Sequence, residues 1–558
     1  LRAGAGVKGG GFVKAAMFRP RLRFAGALAW AVALLLATAL HAAQPDNRPN
    51  IILILADDMG YSDLGCFGSE IPTPHIDSLA ARVVPLTHFY NNTVCCPTRA
   101  SLLTGLYPHQ AGVGWMVLNG SDSRPEGPYQ GFLNQRCVTL GEVLKASGYR
   151  TFMSGKWHVG ENRPHWPVDR GFDRSFALIS GAANYFDITK DYLPSVRRHL
   201  ALDGEDFQPP KSGFYLTDAI ADHAVEFLST LGSDERPFFL YLPFTAPHAP
   251  LQATPADIAA NRGRYRDGWD RIRQARYARM KEIGVVGKNV QLSPREPEVP
   301  AWSEAPDQDL EDLKMAIYAG QIQSMDRSIG RVLDALRRAG REGQTWVIFL
   351  SDNGASSGDL TSFRSKELNR PPYLGGVESY QSYGRPWANV GNTPYRKYKT
   401  TLFEGGIITP LIVAGPGISR PGISNEPGHV IDLMPTLVEL AGGTYPKTFA
   451  GHEITPMEGV SLAPLWRGES RHRSSPLFWE FEGNFAVREG GWKLLGGENK
   501  PWQLYDLLKD STELHDLAAA EPKRVKEMAA RYAAWAIRCD VQSWSGLSSK
   551  LVNVPGVR

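Results

Sequence analysis

Cysteine is scarce in this chain: Cys66, Cys95, Cys96, Cys137 and Cys539 are the only five among 558 residues. An exported disulfide scaffold carries many more, and an odd number leaves at least one thiol over. Cys95 and Cys96 are neighbours with Cα atoms about 3.8 Å apart across a trans peptide, so they do not easily bridge each other. No Cys/His spacing matches a zinc site. Acid is missing from the first 43 residues, whose charges are Arg2, Lys8, Lys14, Arg19, Arg21 and Arg23. The formal +3 of the whole chain therefore becomes about −3 over residues 44–558, and no nucleic acid is expected as a partner. Beyond the leader, no segment reaches membrane-spanning length without charge. With 42% hydrophobic and 10% aromatic residues, the composition is globular and excludes a disordered or collagen-like chain.

The leader has the pattern of an export signal. Arg19, Arg21 and Arg23 precede an uncharged apolar run, Ala25 to Leu40, and small residues follow at Ala39, Ala42 and Ala43. The run is short for a permanent anchor, so cleavage is expected, with no stable membrane insertion afterwards. Met17 is the expected start. No Cys stands near the cut, which argues against a bacterial lipoprotein. Export leads to the periplasm or the medium in a bacterium, and to a lysosome or the secretory pathway in a eukaryote. Asn91 and Asn119 sit in glycosylation sequons that matter only in the second case.

Short apolar runs then alternate with amphipathic segments. Ile51–Leu55 has the pattern of a fully buried strand. Thr139–Ser147 is an expected helix stopped by Gly148, and Tyr149–Ser154 the next strand. Phe238–Leu242 is another apolar run. Met315, Tyr318, Ile322, Met325, Ile329, Val332 and Leu336 step by three and four along a long helix ended by Gly340, with the strand Thr345–Leu350 after it. Thr409–Ala414 and a helix over Val430–Ala441 continue the series. This order predicts an α/β fold with a mostly parallel mixed sheet sandwiched by helices. After residue 470 the runs Leu477–Phe481, Phe485–Arg488, Trp492–Leu495 and Trp502–Asp506 predict an antiparallel meander, with a terminal helix at Glu521–Trp535. The expected organisation is a leader over 1–43, a main domain over 44–470 and a C-terminal subdomain over 471–558. Residues 251–310 and 355–395 show no period and have the character of long insertions.

Ligands of open α/β sheets gather beyond the carboxyl ends of the strands. Asp57 and Asp58 follow the first strand, Lys156 and His158 follow Tyr149–Ser154, His248 follows Phe238–Leu242, and Asp352 and Asn353 follow Thr345–Leu350. A single polar residue at a strand end means little, but four such deliveries point to a site. Asp57, Asp58, Asp352 and Asn353 offer only oxygen, which suits a hard divalent cation, Ca²⁺ or Mg²⁺. Lys156, His158 and His248 suit an anionic substrate gripped by that cation, which favours phosphate or sulfate esters.

The segment Thr93–Gly105 separates those esters. Cys95, Pro97, Thr98, Arg99, Leu103, Thr104 and Gly105 fall on the signature of the sulfatase family, within the alkaline-phosphatase superfamily, which this chain closely resembles. Cys96 falls on the signature's variable position. Pro49–Gly60, Gly155–His158, Ala246–His248 and Ser351–Gly354 resemble further blocks of that family. Tyr398-Lys399 ahead of Glu404-Gly405-Gly406 resembles the block with its second sulfate-binding lysine. The resemblance extends over roughly residues 48–540 and implies an alkaline-phosphatase-like sheet, with the catalytic domain over 44–470.

It further implies hydrolysis of an aryl sulfate or a sulfated carbohydrate to an alcohol and inorganic sulfate. The nucleophile would be a formylglycine hydrate made from Cys95 by a formylglycine-generating enzyme. One of its hydroxyls attacks sulfur, and the other later loses a proton and expels sulfate as the carbonyl re-forms, so no second attack at sulfur is needed. By the same resemblance, Asp57, Asp58, Asp352 and Asn353, with the modified Cys95, hold the cation, expected to be Ca²⁺ with Mg²⁺ as the alternative. Arg99 and Lys156 orient the nucleophile, and His158 takes the second hydroxyl's proton. Lys156, Lys399 and His248 bind the sulfate oxygens, with His248 or Lys399 protonating the leaving group. His75, His88 and His109 are expected to be structural. Two other readings stand beside this one: a phosphonate or phosphate ester hydrolase of the same superfamily, and a non-catalytic binder of sulfated glycans.

Overall fold

Alternate residues of the first apolar run face opposite ways: Ile52 and Ile54 enter one buried cluster, Ile51, Leu53 and Leu55 the other. A strand apolar on both faces must be covered on both, and this one lies in the middle of a ten-stranded sheet. The computed structural model describes residues 10–11, 46–81, 86–117, 124, 126–190, 198–360, 365–418 and 424–551. The expected start at Met17, the apolar run and cleavage site of the leader and the Asn119 sequon lie outside the described residues.

The large sheet comprises β1 (Asn50–Ala56), β2 (Leu86–Tyr90), β3 (Arg150–Lys156), β4 (Arg174–Leu178), β5 (Leu200–Leu202), β6 (Glu205–Asp206), β7 (Phe238–Pro243), β8 (Thr345–Ser351), β9 (Ile408–Ala414) and β10 (Gly428–His429). Their order is β10-β2-β9-β8-β1-β7-β3-β4-β5-β6. The central run β8-β1-β7-β3-β4 is parallel throughout, while β9 runs antiparallel to both neighbours and β5 and β6 close one edge antiparallel. Helices that matter below are α1 (Cys95–Thr104), α2 (Leu140–Ala146), α3 (Leu216–Ser229), α4 (Gln308–Arg338), α5 (Leu433–Leu440) and α6 (Pro522–Arg538).

Local chemistry fixes their ends. Thr139 accepts the Glu142 amide and Glu142 returns the bond to the Thr139 amide, a reciprocal cap that starts α2. Asp307 caps α4, whose seven stepped apolar residues are all buried against the sheet. The expected helix over Val430–Ala441 opens with one 3-10 turn, Val430–Asp432, before α5 begins.

Past a short hairpin, β11 (Thr448–Phe449) with β12 (His452–Glu453), the strands β13 (Leu477–Phe481), β14 (Asn484–Glu489), β15 (Trp492–Gly497) and β16 (Lys500–Asp506) form the expected antiparallel meander. Helix α6 lays Met528, Tyr532 and Trp535 against it.

The two stretches without a period are not structureless. Residues 251–310 hold helices Pro255–Asn261 and Gly268–Glu282, and 355–395 holds Gly384–Gly391. The second of these hides its period because arginines occupy part of its inner face. Arg276 is buried in ion pairs 2.5 Å from Asp63 and 2.8 Å from Glu70, and Arg273 bonds Ser293 and the Asn389 carbonyl. A pattern search on apolar residues cannot see such a face.

Candidate active site

Neighbouring strands bring the predicted residues together. Ala56 of β1 pairs with Ser351 of β8, so the next residues, Asp57-Asp58 and Asp352-Asn353, emerge side by side. β7 lies on the other side of β1 and leads to His248; β3 follows, ending at Lys156 with His158 two residues on. Gly155 permits this closeness, since a Cβ there would stand 1.8 Å from the Pro243 carbonyl oxygen. Cys95 is the first residue of α1, and no side chain caps that end. The helix dipole therefore favours negative charge at Cys95. Lys399 arrives on the segment before β9. That segment is seated by Gly354 and Gly405, whose backbones approach so closely that a Cβ on Gly354 would lie 1.9 Å from the Gly405 oxygen.

The charged groups are buried and mutually bonded. Lys156 Nζ is 2.6 Å from Asp57 Oδ2, and Lys399 Nζ is 2.6 Å from Asp58 Oδ1. Arg99 donates from Nε (3.2 Å) and Nη2 (2.9 Å) to Asp352 Oδ2, and from Nη1 to the Lys156 carbonyl at 2.9 Å. Asn353 Nδ2 donates to Asp58 Oδ1 at 2.6 Å, and His248 Nε2 lies 3.5 Å from Asp58 Oδ2. His158 Nε2 donates to the Val117 carbonyl at 2.9 Å, which leaves Nδ1 as the acceptor. All ten predicted residues thus converge on one edge of the sheet. Asp58 (φ 64°) and His158 (φ 59°) are held in the left-handed region, which costs a side-chain-bearing residue about 1–2 kcal/mol.

The electrostatics follow from burial. Burial, partly offset by Lys156 and reinforced by Asp352, pushes the Asp57 carboxyl well up. Burial acts likewise on Asp58, but Lys399 and then His248 bring it below the usual carboxylate range. Burial takes the His248 imidazole down to about 4. Contact with the Cys96 thiol, then Lys156 and Lys399, holds the Cys95 thiol well down against burial, while burial drives Cys96 up.

The oxygen donors fit a hard divalent cation. Asp57 Oδ1 and Asn353 Oδ1 are buried and receive no hydrogen bond. Two such orphaned acceptors, beside the carboxylates of Asp58 and Asp352, are what a cation with oxygen ligands would satisfy.

Some contributors have roles that the sequence does not assign, although Tyr185 stands out there as a candidate pocket wall. Tyr185 donates to the Thr245 and His248 carbonyls at 2.7 and 2.8 Å and thereby fixes the His248 turn. Cys96 lies 3.4 Å from both ring nitrogens of His158; the adjacent thiols were the visible clue. Of the histidines expected to be structural, His109 bonds Glu480 of β13 at 2.9 Å. Asn91 corrects the sequon reading: it is wholly buried and its amide nitrogen bonds the Ser351 carbonyl, so no glycan fits there. A cavity of about 820 Å³ lies along the Tyr185 segment, lined by Phe186, Lys190, Lys211, Phe214, Arg262 and Leu374, and contains none of the ten residues.

Comparison with known proteins bears on this geometry. Residues 49–443 match the family model Sulfatase, and residues 396–533 match the model for the C-terminal part of N-sulphoglucosamine sulphohydrolase. The chain is 37% identical over 462 residues to an arylsulfatase of Klebsiella aerogenes, covering 81% of this chain and 99% of that protein. It is 36% identical over 519 residues to an uncharacterized sulfatase of Schizosaccharomyces pombe, covering 86% and 92%. The crystal structure of Ps i-CgsB superposes with a TM-score of 0.66 at 26% identity, covering 91% of this chain and 98% of that one. That protein has also been solved in complex with k-i-k-neocarrahexaose. Family membership implies a formylglycine and a divalent metal. The match across most of the chain and the oxygen-rich strand ends beside Cys95 lead to one conclusion: the chain belongs to the sulfatase family and is a sulfuric ester hydrolase.

Proposed function

We propose that this enzyme is exported and hydrolyses the sulfate ester of a saccharide or phenol, using Cys95 oxidised to formylglycine and a Ca²⁺ ion held by Asp57, Asp58, Asp352 and Asn353. The observation that carries the reading is the convergence of those four oxygen donors with Lys156, Lys399 and His248 around the N-terminus of α1. When present, the cation supplies charge to a sulfate oxygen and the oxidised side chain supplies the attacking hydroxyl.

The remaining work falls to the chain's own residues. Arg99, fixed by Asp352 and the Lys156 carbonyl, orients the side chain at position 95 and offsets its charge. Lys156, Lys399 and His248 bind the sulfate oxygens and neutralise the charge that moves onto them. His158 receives a proton at Nδ1, because its Nε2–H is committed to Val117. Lys399 or His248 hands a proton to the leaving oxygen. The leaving group extends toward the cavity beside Phe186, whose volume of about 820 Å³ and mix of aromatic and cationic walls suit a sulfated saccharide. Export rests on the basic residues and apolar run of the leader.

Cys95→Ser tests the nucleophile. A serine can attack once but has no second hydroxyl to expel sulfate. Steady-state sulfate release is therefore expected to fall by at least about 10⁴-fold while a sulfated peptide accumulates by mass. Near wild-type turnover with no adduct would remove the assignment. Rates on matched aryl sulfates, aryl phosphates and sulfated oligosaccharides identify the ester and its alcohol.

A further inference from the structure

The segment between β8 and β9 carries a hydroxyl that the chemistry above does not use. Tyr383 is 4% exposed, and its phenolic oxygen finds no hydrogen-bond partner among the described residues. Tyr318 of α4 stacks on its ring, centroids 4.2 Å apart, but gives its own proton to Asp63 Oδ2 at 2.8 Å. A buried donor without an acceptor is costly, so one kept beside a reaction centre points to a group that arrives with the substrate. Tyr383 lines a cavity of about 10 Å³ together with Asp58, Pro247, Ala249, Ser356 and Ser382.

We propose that this cavity receives the hydroxyl on the carbon next to the one that bears the sulfate. Tyr383 is then a specificity-determining residue, and the enzyme selects monosulfates of vicinal diols, the arrangement found in saccharides. This inference deepens the reading of Asp58 and His248 as parts of a sulfate site, and it rests on that reading.

Position, size and chemistry agree. Pro247 and Ala249 flank His248, which is placed to serve the leaving oxygen, and a vicinal hydroxyl is only two carbons away from that oxygen. A space of about 10 Å³ admits one water-sized group. A hydroxyl fits it, whereas a methoxy group or a second sulfate does not. A hydroxyl both donates and accepts. Tyr383 donates to it, and the Asp58 carboxylate or the Ser382 oxygen accepts from it, since the Ser382 proton is given to the Gly358 carbonyl. Ala249 and Ser356 are half-buried, so the cavity lies at the margin of the site, where an alcohol enters. Its walls are fastened to each other: the Leu251 N–H donates to the Gln381 carbonyl at 2.8 Å, which ties the Tyr383 segment to the His248 turn. A fixed donor of this kind discriminates against a substrate that leaves it unpaired.

The test uses the full chain from a converting host and three aryl esters. Catechol monosulfate carries the neighbouring hydroxyl, resorcinol monosulfate carries it one carbon further away, and guaiacol sulfate has it capped by a methyl group. Wild-type kcat/KM is expected to favour catechol over resorcinol monosulfate by about tenfold, with guaiacol sulfate the slowest of the three. This comparison of substrates needs no variant. In Tyr383→Phe, shown to be folded by its Tm, the catechol-to-resorcinol ratio is expected to fall at least about fivefold. Equal wild-type rates on catechol and resorcinol monosulfates overturn the proposal. So does a ratio that survives in the folded variant, including one in which both rates fall together. Wild-type protein that frees sulfate from none of the three esters overturns the sulfate-site reading itself, and this proposal with it.

Discussion

Two buried charged clusters flank the segment 396–404 and differ in how completely they are paired. At the C-terminal sheet, Lys493 bonds Glu404 Oε1 at 2.7 Å and stands 2.8 Å from Glu513 Oε1, an oxygen that takes no hydrogen bond but has this cation against it. Tyr90 donates to the second oxygen of Glu404, and the Glu404 amide donates to that of Glu513. At the strand ends, the oxygens of Asp57 and Asn353 that face no donor are left over, and Asp58 and His158 hold strained backbone. A charge cluster whose oxygens all find cations or donors joins parts of a fold. One with orphaned oxygens beside a nucleophile candidate is built for something that arrives later.

Exchanging the roles of the lysines would break that contrast. Lys493→Met leaves two carboxylates buried without their cation and is expected to destabilise the protein by about 3–5 kcal/mol in denaturant melts. Its kcat/KM, corrected for folded fraction, is expected to fall far less than that of Lys156→Ala. The latter is expected to lose about 10²–10³-fold in kcat/KM with little change in Tm. Equal activity losses in the two variants would erase the distinction. Asp57→Asn sharpens it from the metal side: calorimetry is expected to show divalent binding weakened by at least about 100-fold, with Lys493→Met unchanged.

A gentler probe is pH. Burial, with Glu404 nearby and Lys493 only partly offsetting both, lifts the Glu513 carboxyl to about 7. Its folded-state pKa is above its unfolded one, so its contribution is complete below about pH 4.5 and is lost as pH rises toward 7. Glu404 is shifted the opposite way, so the difference between wild type and Glu513→Gln is the quantity to follow. Wild-type Tm is expected to fall relative to Glu513→Gln across that window, and parallel curves would remove the claim. The smallest effect expected is Thr139→Ala, about 1 kcal/mol from loss of the α2 cap, with activity untouched.

The central sheet was legible because its strands are nearly all apolar. Ile51–Leu55, Phe238–Leu242 and Thr345–Leu350 each lie inside an observed strand, and the polar residues just beyond them mark the site. Cys95, Arg99 and Lys399 were legible only through a motif, since nothing in their periodicity sets them apart. Gly268–Glu282 escaped because Arg273 and Arg276 fill part of its buried face between Trp269 and Met280, and the role of Tyr185 was hidden because a tyrosine that braces a turn resembles any pocket or core aromatic. Side-chain-to-backbone bracing has no spacing rule, so such residues emerge only when the carbonyls they hold can be seen.

The left-handed backbone at Asp58 and His158, with Lys397 and Thr400 likewise bent on either side of Lys399, restricts how this enzyme can drift. A β-branched replacement at Asp58, His158 or Lys397 meets a steric penalty before its chemistry is ever sampled, a penalty that Thr400 already bears. Selection for a new sulfated alcohol is thereby channelled away from the reaction centre and into the walls around Phe186 and Phe214, where ordinary conformations leave the side chains open to exchange.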